Sequence, residues 1–530
     1  MSVKLYDIFN KTDYSLTKTS LDSKYILSYD RLAWIGLLAI LSLIFYQLIV
    51  YRIFLHSANQ LPGPSMEWIP FSGNAKQILT TSLLECLTLW TKQYGNVFRY
   101  RALGYEPHVV IADPKLMKQI LATKHEIFVK PLSTRKYLAS RIGNGLIVAE
   151  GEMHRQQRKM LNPAFSVPMI RQLIPLMVTP IIELRNQWLE QVDSDKPVTI
   201  FALEAFRSMT LDVIARAAFG QNFQCLDHNE ATRGHRLLEA YGAVHFMEPL
   251  WMYLLCFVYP WFRKVRDIPT KQNNKVKRAL ITLHKEALAM VEEALQRKSA
   301  GANISGVLGH MMKEIDDDTG RGLSTVELQH QCLTFLHSGH ETTAVALSWT
   351  LWLLAKHPDI QHDVRKEIKQ AFESEQAEIL SYDTIHQLQL LSNIVKETLR
   401  IIPPVPVTVR TTTEDTLLGE HLIPKDTFVL LAPIITHRDR EWWGDDAHLF
   451  RPSRWNEAPA NNIDPYIYMP FLAGPHHCIG NRLVLTEMKL ALAVLLKEFH
   501  FSEKPGFEPG IKHQITLAPK HDMQLLIQKI

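Results

Sequence analysis

Phe471-Leu472-Ala473-Gly474-Pro475-His476-His477-Cys478-Ile479-Gly480 sets one cysteine between two glycines at the mouth of an apolar helix, and the rest of the chain is read outward from it. A thiolate is a buried anion that needs donors. The start of a helix supplies them as unpaired N–H groups, together with the positive end of the dipole. Gly474 and Gly480 are expected to let the backbone turn tightly and approach the sulfur. From Ile479 to Phe499 the residues are rich in Leu, Val, Ala and Met, so the helix is expected to be buried almost all round. Cys478 alone reads as a small core hydrophobe. Its reading as a metal-bound thiolate rests on four motifs upstream.

The longest helical pattern opens at Ser324-Thr325-Val326-Glu327, which has capping-box spacing, and ends at Lys356-His357-Pro358. About thirty residues at ~1.5 Å rise give ~45 Å, enough to cross a domain. Its centre, Ser338-Gly339-His340-Glu341-Thr342-Thr343, is poor helix material: an interior glycine costs ~1 kcal/mol against alanine, and adjacent threonines crowd the preceding turn. A buried Ser/Thr kink is the bland reading and a reactive groove the sharp one. Glu397 and Arg400 stand three apart on one helical face, a pairing worth only ~0.3 kcal/mol when exposed. Phe450-Arg451-Pro452-Ser453-Arg454-Trp455 supplies a second guanidinium for bidentate pairing. Gly151 to Pro163 is basic and helical in period, with His154 and Arg158 one turn apart. Arg155 and Lys159 read either as a solvated face or as a docking surface for an acidic partner.

In this order and spacing the motifs resemble the cytochrome P450 family of haem-thiolate monooxygenases, and the resemblance runs from Leu61 nearly to the C-terminus. It implies haem b with Cys478 as axial ligand of the iron, in a loop marked by Phe471, Gly474 and Gly480. His476 stands where the family has an arginine that pairs with a propionate, and His154 where it has a tryptophan. Arg158 and Arg410 are implied as further propionate ligands. By the same resemblance Gly339 opens a groove for dioxygen, Glu341 and Thr342 relay protons, and Glu397, Arg400 and Arg454 lock the fold behind the haem. The aromatic stretch from Tyr241 to Phe262 reads either as helix-packing core or, by the resemblance, as a lid over the substrate channel.

The balance of 58 Lys and Arg against 54 Asp and Glu, a formal +4, is too small to argue for a nucleic-acid partner. Five cysteines, Cys86, Cys225, Cys256, Cys332 and Cys478, are odd in number and scattered. They fit neither a disulfide scaffold nor a structural zinc site, and suit a reducing compartment. Length alone would suggest about three domains. Motifs spread from 154 to 478 that serve one cofactor argue for one body instead.

Residues 32–51 carry no charge and span ~30 Å as a helix, the thickness of a bilayer core. The run starts too far in and is too long for a signal peptide, and it is longer than most buried helices. The expected organisation is therefore an N-terminal tail (1–31), a single transmembrane anchor (32–51), a proline-rich hinge at Leu61-Pro62-Gly63-Pro64 (52–66) and a catalytic domain (67–530). Lys18, Lys24 and Arg31 against Arg52 would place the tail in the cytoplasm. The resemblance implies the reverse, with the catalytic domain on the cytoplasmic face of the endoplasmic reticulum, and this orientation is adopted. Sequons at Asn10 and Asn303 lie on opposite sides of the anchor, so sugar on Asn10 agrees with it and sugar on Asn303 reverses it.

The expected fold is thus mainly α with small β-sheets, strands being read at Phe98 to Tyr100 and Val109 to Ile111. Residues 298–322, rich in Gly, Ser and Asp, read as an exposed loop. No dinucleotide fingerprint appears, so electrons are expected from an NADPH-dependent cytochrome P450 reductase. Dioxygen, membrane lipid and a lipophilic small molecule complete the expected partners. The likeness to microsomal fungal members points to a terpenoid or other secondary metabolite. An oxygen-independent isomerase or dehydratase and a non-enzymatic haem sensor are the competing readings.

Overall fold

The computed structural model describes residues 21–67, 72–102, 105–192, 196–227, 229–244, 269–315, 320–457, 462–513 and 516–530. The Asn10 sequon, residues 245–262 of the aromatic stretch with Cys256, and part of the 298–322 segment lie outside them. The chain is mainly helical, at 61%, with small sheets. This is the class its dominant helical period anticipates.

Helix α1 (Leu21–Phe45) continues as π-helix over Tyr46–Leu55, so the helical rod begins before and ends after the 32–51 span. Apolar side chains such as Leu32, Trp34, Leu38 and Phe45 stand exposed along it. By length and composition this helix can cross a membrane. Its last carbonyls have no helical partners and are satisfied from the body instead. Arg101 donates to the carbonyls of Arg52 at 2.8 Å and Ile53 at 3.2 Å, and to Asn59 Oδ1 at 2.8 Å. The Arg99 amide donates to the Pro62 carbonyl at 2.9 Å, so the proline-rich segment is fastened to the first strand.

That strand, β1 (Val97–Arg101), pairs antiparallel with β2 (Pro107–Ile111), Val97 opposite Ile111, as the two apolar runs predict. With β3 (Phe128–Val129), β4 (Thr408–Thr412) and β5 (Phe428–Leu431) they form one sheet in the order β1-β2-β5-β4-β3. Chain segments some three hundred residues apart therefore meet in one layer. Near the C-terminus β6 (Ile511–His513) and β7 (Leu517–Pro519) form a hairpin.

The helical body is built from α2 (Gly151–Leu161), α3 (Val167–Gln191), α4 (Ala202–Phe219), α5 (Gly306–Met311), α6 (Thr325–Lys356), α7 (Gln389–Ile401) and α8 (Asn481–Glu498). α3 is also apolar and long enough to cross a membrane, yet Ile170, Met177, Leu184 and Trp188 are buried in the protein core. α5 corrects the expectation of an exposed loop over 298–322: Val307, Leu308 and Met311 are buried, because three apolar residues within two turns are enough to seat a short helix.

α6 is the axis. Ser324 Oγ accepts the Glu327 amide and the Glu327 carboxylate accepts the Ser324 amide at 2.8 Å, the reciprocal cap the spacing predicts. α6 packs on α4, α7 and α8. α8 is buried without a break from Thr486 to Leu496. The Leu517 amide donates to the Pro404 carbonyl at 2.8 Å, and Trp349 Nε1 to the Leu517 carbonyl at 2.7 Å. The β6–β7 hairpin is thereby tied to both α6 and the proline segment after α7.

Candidate functional site

Cys478 lies three residues before the α8 start, in a loop closed by its own amide donating to the Phe471 carbonyl at 2.8 Å. Its side chain is exposed although protein surrounds it on the wider scale, so it faces an open space within the body. Burial raises the thiol pKa, while a hydrogen bond from the Gly480 backbone and the charge of Arg158 act in the opposite direction. Gly474 meets the expectation of a required glycine: its φ is +75°, and an added Cβ would fall 2.0 Å from the Leu121 carbonyl oxygen. Gly480 does not, because its φ is −85° and the nearest atom to an added Cβ is Cys478 Sγ at 3.9 Å. Its contribution to the sulfur is the amide hydrogen.

Arg158, reaching in from α2, braces this loop from one side. Nη1 donates to the His477 carbonyl at 2.6 Å, Nη2 lies 2.7 Å from His477 Nε2, and Nε donates to Asn162 Oδ1 at 2.8 Å. One turn earlier the His154 ring lies against the His476 ring, centroids 3.8 Å apart, so the two departures from the family pattern touch. Burial, with the neighbouring positive charges, lowers the His154 pKa to about 3 and keeps that ring neutral. His476 Nε2 stands 3.3 Å from Glu150 Oε2, and burial nonetheless pulls its pKa below the usual value. Lys130 Nζ is 2.8 Å from Glu150 Oε1. Phe471 is half-buried and packs at the core edge. Arg410, on β4, is buried and donates to Thr408 Oγ1 at 3.1 Å and the Val409 carbonyl at 2.7 Å. Among the described residues it has no ion-pair carboxylate.

In α6 the helix runs unbroken through the weak centre. Thr342 Oγ1 donates to the Ser338 carbonyl at 2.7 Å and Thr343 Oγ1 to the Gly339 carbonyl at 2.8 Å, the back-bonding by which threonine is accommodated in a helix. Gly339 faces α4, where an added Cβ would meet the Ile214 side chain at 3.2 Å. The glycine thus serves the close approach of two helices. Glu341 turns to the same side and is held by Arg207 of α4 through two bonds of 2.7 Å. The pair raises the Arg207 pKa against the effect of its burial.

Behind the loop, Glu397 and Arg400 are fully buried and paired at 2.8 and 2.9 Å. Arg454 Nε donates to Glu397 Oε1 at 3.3 Å, and Trp455 Nε1 and the Arg451 amide add bonds at 3.0 and 3.1 Å. Arg400 Nη1 also donates to the His437 carbonyl at 2.8 Å, and His437 Nε2 accepts the Met469 amide at 2.9 Å, two residues before Phe471. A chain of hydrogen bonds therefore runs from the buried pair to the cysteine loop.

Apart from Arg410, which bonds only within its own strand among the described residues, the expected residues fall into three assemblies: the loop with Arg158, His154 and His476; the α6 centre; and the Glu397 network. Lys130, Glu150, Arg207 and His437 belong to them without any motif to announce it. A cytochrome P450 family model matches residues 62–526. Cytochrome P450 monooxygenase sphH of Aspergillus fumigatus is 30% identical over 501 residues, covering 91% of this chain and 90% of its own length. Echinocystic acid 23-monooxygenase of Saponaria officinalis is 32% identical over 458 residues, 82% of each chain. Cytochrome P450 72A397 of Kalopanax septemlobus is 28% identical over 450 residues, 83% of this chain and 82% of its own.

Proposed function

The chain belongs to the cytochrome P450 family, and from that premise we propose a membrane-anchored monooxygenase of lipophilic small molecules, terpenoids in particular, fed by an NADPH-dependent cytochrome P450 reductase. Monooxygenase activity and haem b held by a cysteine thiolate come with the family. The observation that carries the reading is the Cys478 loop, with a sulfur that faces open space, takes the Gly480 amide and lies within the field of Arg158. The residues fit the group: a soft anionic ligand for iron, and in Arg410 a buried guanidinium without a carboxylate, ready for a propionate.

When bound, haem supplies the dioxygen chemistry, and a thiolate ligand pushes electron density that favours O–O cleavage. The chain supplies position and protons. Cys478 would hold the centre, and Arg410 and Arg158 would orient it. Thr342 Oγ1 and the Glu341 carboxyl move protons on the α6 side, and to do so Glu341 parts from Arg207. The exposed apolar run of α1 supports an anchor in the endoplasmic reticulum membrane, with the body on the cytoplasmic side where the reductase lies. The name of the Saponaria relative, with its terpenoid acid, supports the substrate class.

The test is a spectral screen of the full chain in membranes. Terpenoids are expected to shift the spin state, and turnover is expected to need both NADPH and dioxygen through the reductase. Turnover without either reagent sinks the proposal, as does the absence of any spin shift across lipophiles.

The division of labour around the loop gives a separate expectation. Arg158 fastens both the carbonyl and the ring of His477, whereas His476 is occupied by Glu150. Arg158→Ala should speed haem loss by about tenfold, the order of one charge-assisted hydrogen bond, and His476→Ala by much less. Haem content of the two purified variants measures this, and equal content would contradict it.

A further inference from the structure

Two of the residues by which the family holds its propionates are histidines here, and neither brings a ready charge. His154 is a neutral ring stacked on His476, and His476 Nε2 already serves Glu150 at 3.3 Å. The positive charge in this cluster comes from elsewhere. Lys130 follows β3, and its ammonium lies 2.8 Å from Glu150 Oε1 and donates to the Ala149 carbonyl at 3.0 Å. An ammonium has three hydrogens. Among the described residues the third direction meets His476 Nδ1 at 3.5 Å, a long and weak bond that a closer anion would displace.

The charges make the same point. Lys130 is largely removed from solvent and feels the charge of the buried Arg410, yet of the two only Lys130 is paired with Glu150, at 2.8 Å. Two cations beside one paired anion leave a surplus of positive charge inside the protein, next to His476 of the cysteine loop, whose Nδ1 is 3.5 Å from the ammonium. Desolvated charge of this kind is retained where an anion arrives to meet it.

We infer that Lys130 anchors a haem propionate in this chain, replacing the arginine lost at position 476, and that Glu150 positions its ammonium. This rests on the haem-thiolate reading above. A lysine suits the place because its flexible stem lets one ammonium bridge a fixed carboxylate and an incoming one. The competing account is a plain structural ion pair joining residue 130 to residue 150. It gives the two partners equal weight, whereas an anchor gives Lys130 more.

Transfer of haem from the loaded full-length protein to excess apomyoglobin separates the two. Lys130→Gln should release haem about tenfold faster than the parent, Lys130→Arg within about twofold of it, and Glu150→Gln less than about threefold faster, since the ammonium remains. Release by Lys130→Gln at the parent rate overturns the assignment. Equal acceleration by Lys130→Gln and Glu150→Gln overturns it as well, in favour of the ion pair. Lys130→Met, which keeps the length of the stem, carries the test if the glutamine variant does not accumulate. The carbonyl-difference spectrum of the parent is recorded first and tests the haem-thiolate reading separately. With that band present and Lys130→Gln unchanged, only the lysine assignment falls.

Discussion

Cys478→Ser is expected to leave a folded chain whose reduced, carbon monoxide-treated form has lost the thiolate-shifted Soret band entirely, with turnover reduced to background. Sulfur and hydroxyl differ little in volume, and the loop is closed by backbone bonds, including the Cys478 amide to the Phe471 carbonyl, that the substitution leaves alone. The Gly480 amide can donate to a serine oxygen as it does to sulfur. A serine hydroxyl, however, stays protonated near neutral pH and gives iron none of the electron density that a thiolate does. No other described cysteine can take over: Cys86, Cys225 and Cys332 are packed in the hydrophobic core, and only Cys478 among the described cysteines is exposed. Because Arg410 and Arg158 are untouched, haem content is a poor readout and band position the decisive one. A variant that keeps the shifted band would remove Cys478 as the ligand.

How far the site could be read beforehand depended on how local its chemistry is. The loop from Phe471 to Gly480, the Ser324 cap and the Glu397–Arg400 spacing each lie within ten residues, so their geometry is written in consecutive positions. Glu341 was legible as an acid on α6. Its partner Arg207 was not, because the pair joins residues 134 apart and an arginine in a helix carries no mark of what it will meet. Lys130 and Glu150 were silent for the same reason. Lys130 follows β3 and Glu150 caps α2, 20 positions on, and no local pattern shows that the intervening chain folds back to bring them to 2.8 Å. Gly339 shows a second kind of silence. The motif drew attention to a groove, and the contact with Ile214 adds a packing role that the motif does not display. Helix–helix approach is a pairwise property that one helix's sequence cannot display.

Glu397→Ala is expected to cost about 3–5 kcal/mol, the usual consequence of stranding a buried cation, against a typical domain stability of about 5–15 kcal/mol. Both members of the pair are inaccessible to solvent, and the carboxylate also receives Arg454, Trp455 and the Arg451 amide. Removing it leaves two guanidinium groups with no anion between them. Arg454 retains Asp446 at 2.9 Å, so Arg400 bears most of the loss. The damage travels, because Arg400 also fixes the His437 carbonyl and His437 in turn holds the Met469 amide ahead of the cysteine loop. The variant should therefore unfold at lower denaturant and accumulate with little haem, although Glu397 is two hydrogen-bonded residues removed from the loop. Arg400→Lys should fare almost as badly, since one ammonium cannot reproduce the two parallel bonds to Glu397 together with those to the His437, Ala447 and Leu449 carbonyls. Denaturant midpoints with haem-to-protein ratios measure both effects together. Wild-type values for Glu397→Ala would mean that the buried network is dispensable and that the loop is held by its own backbone bonds alone.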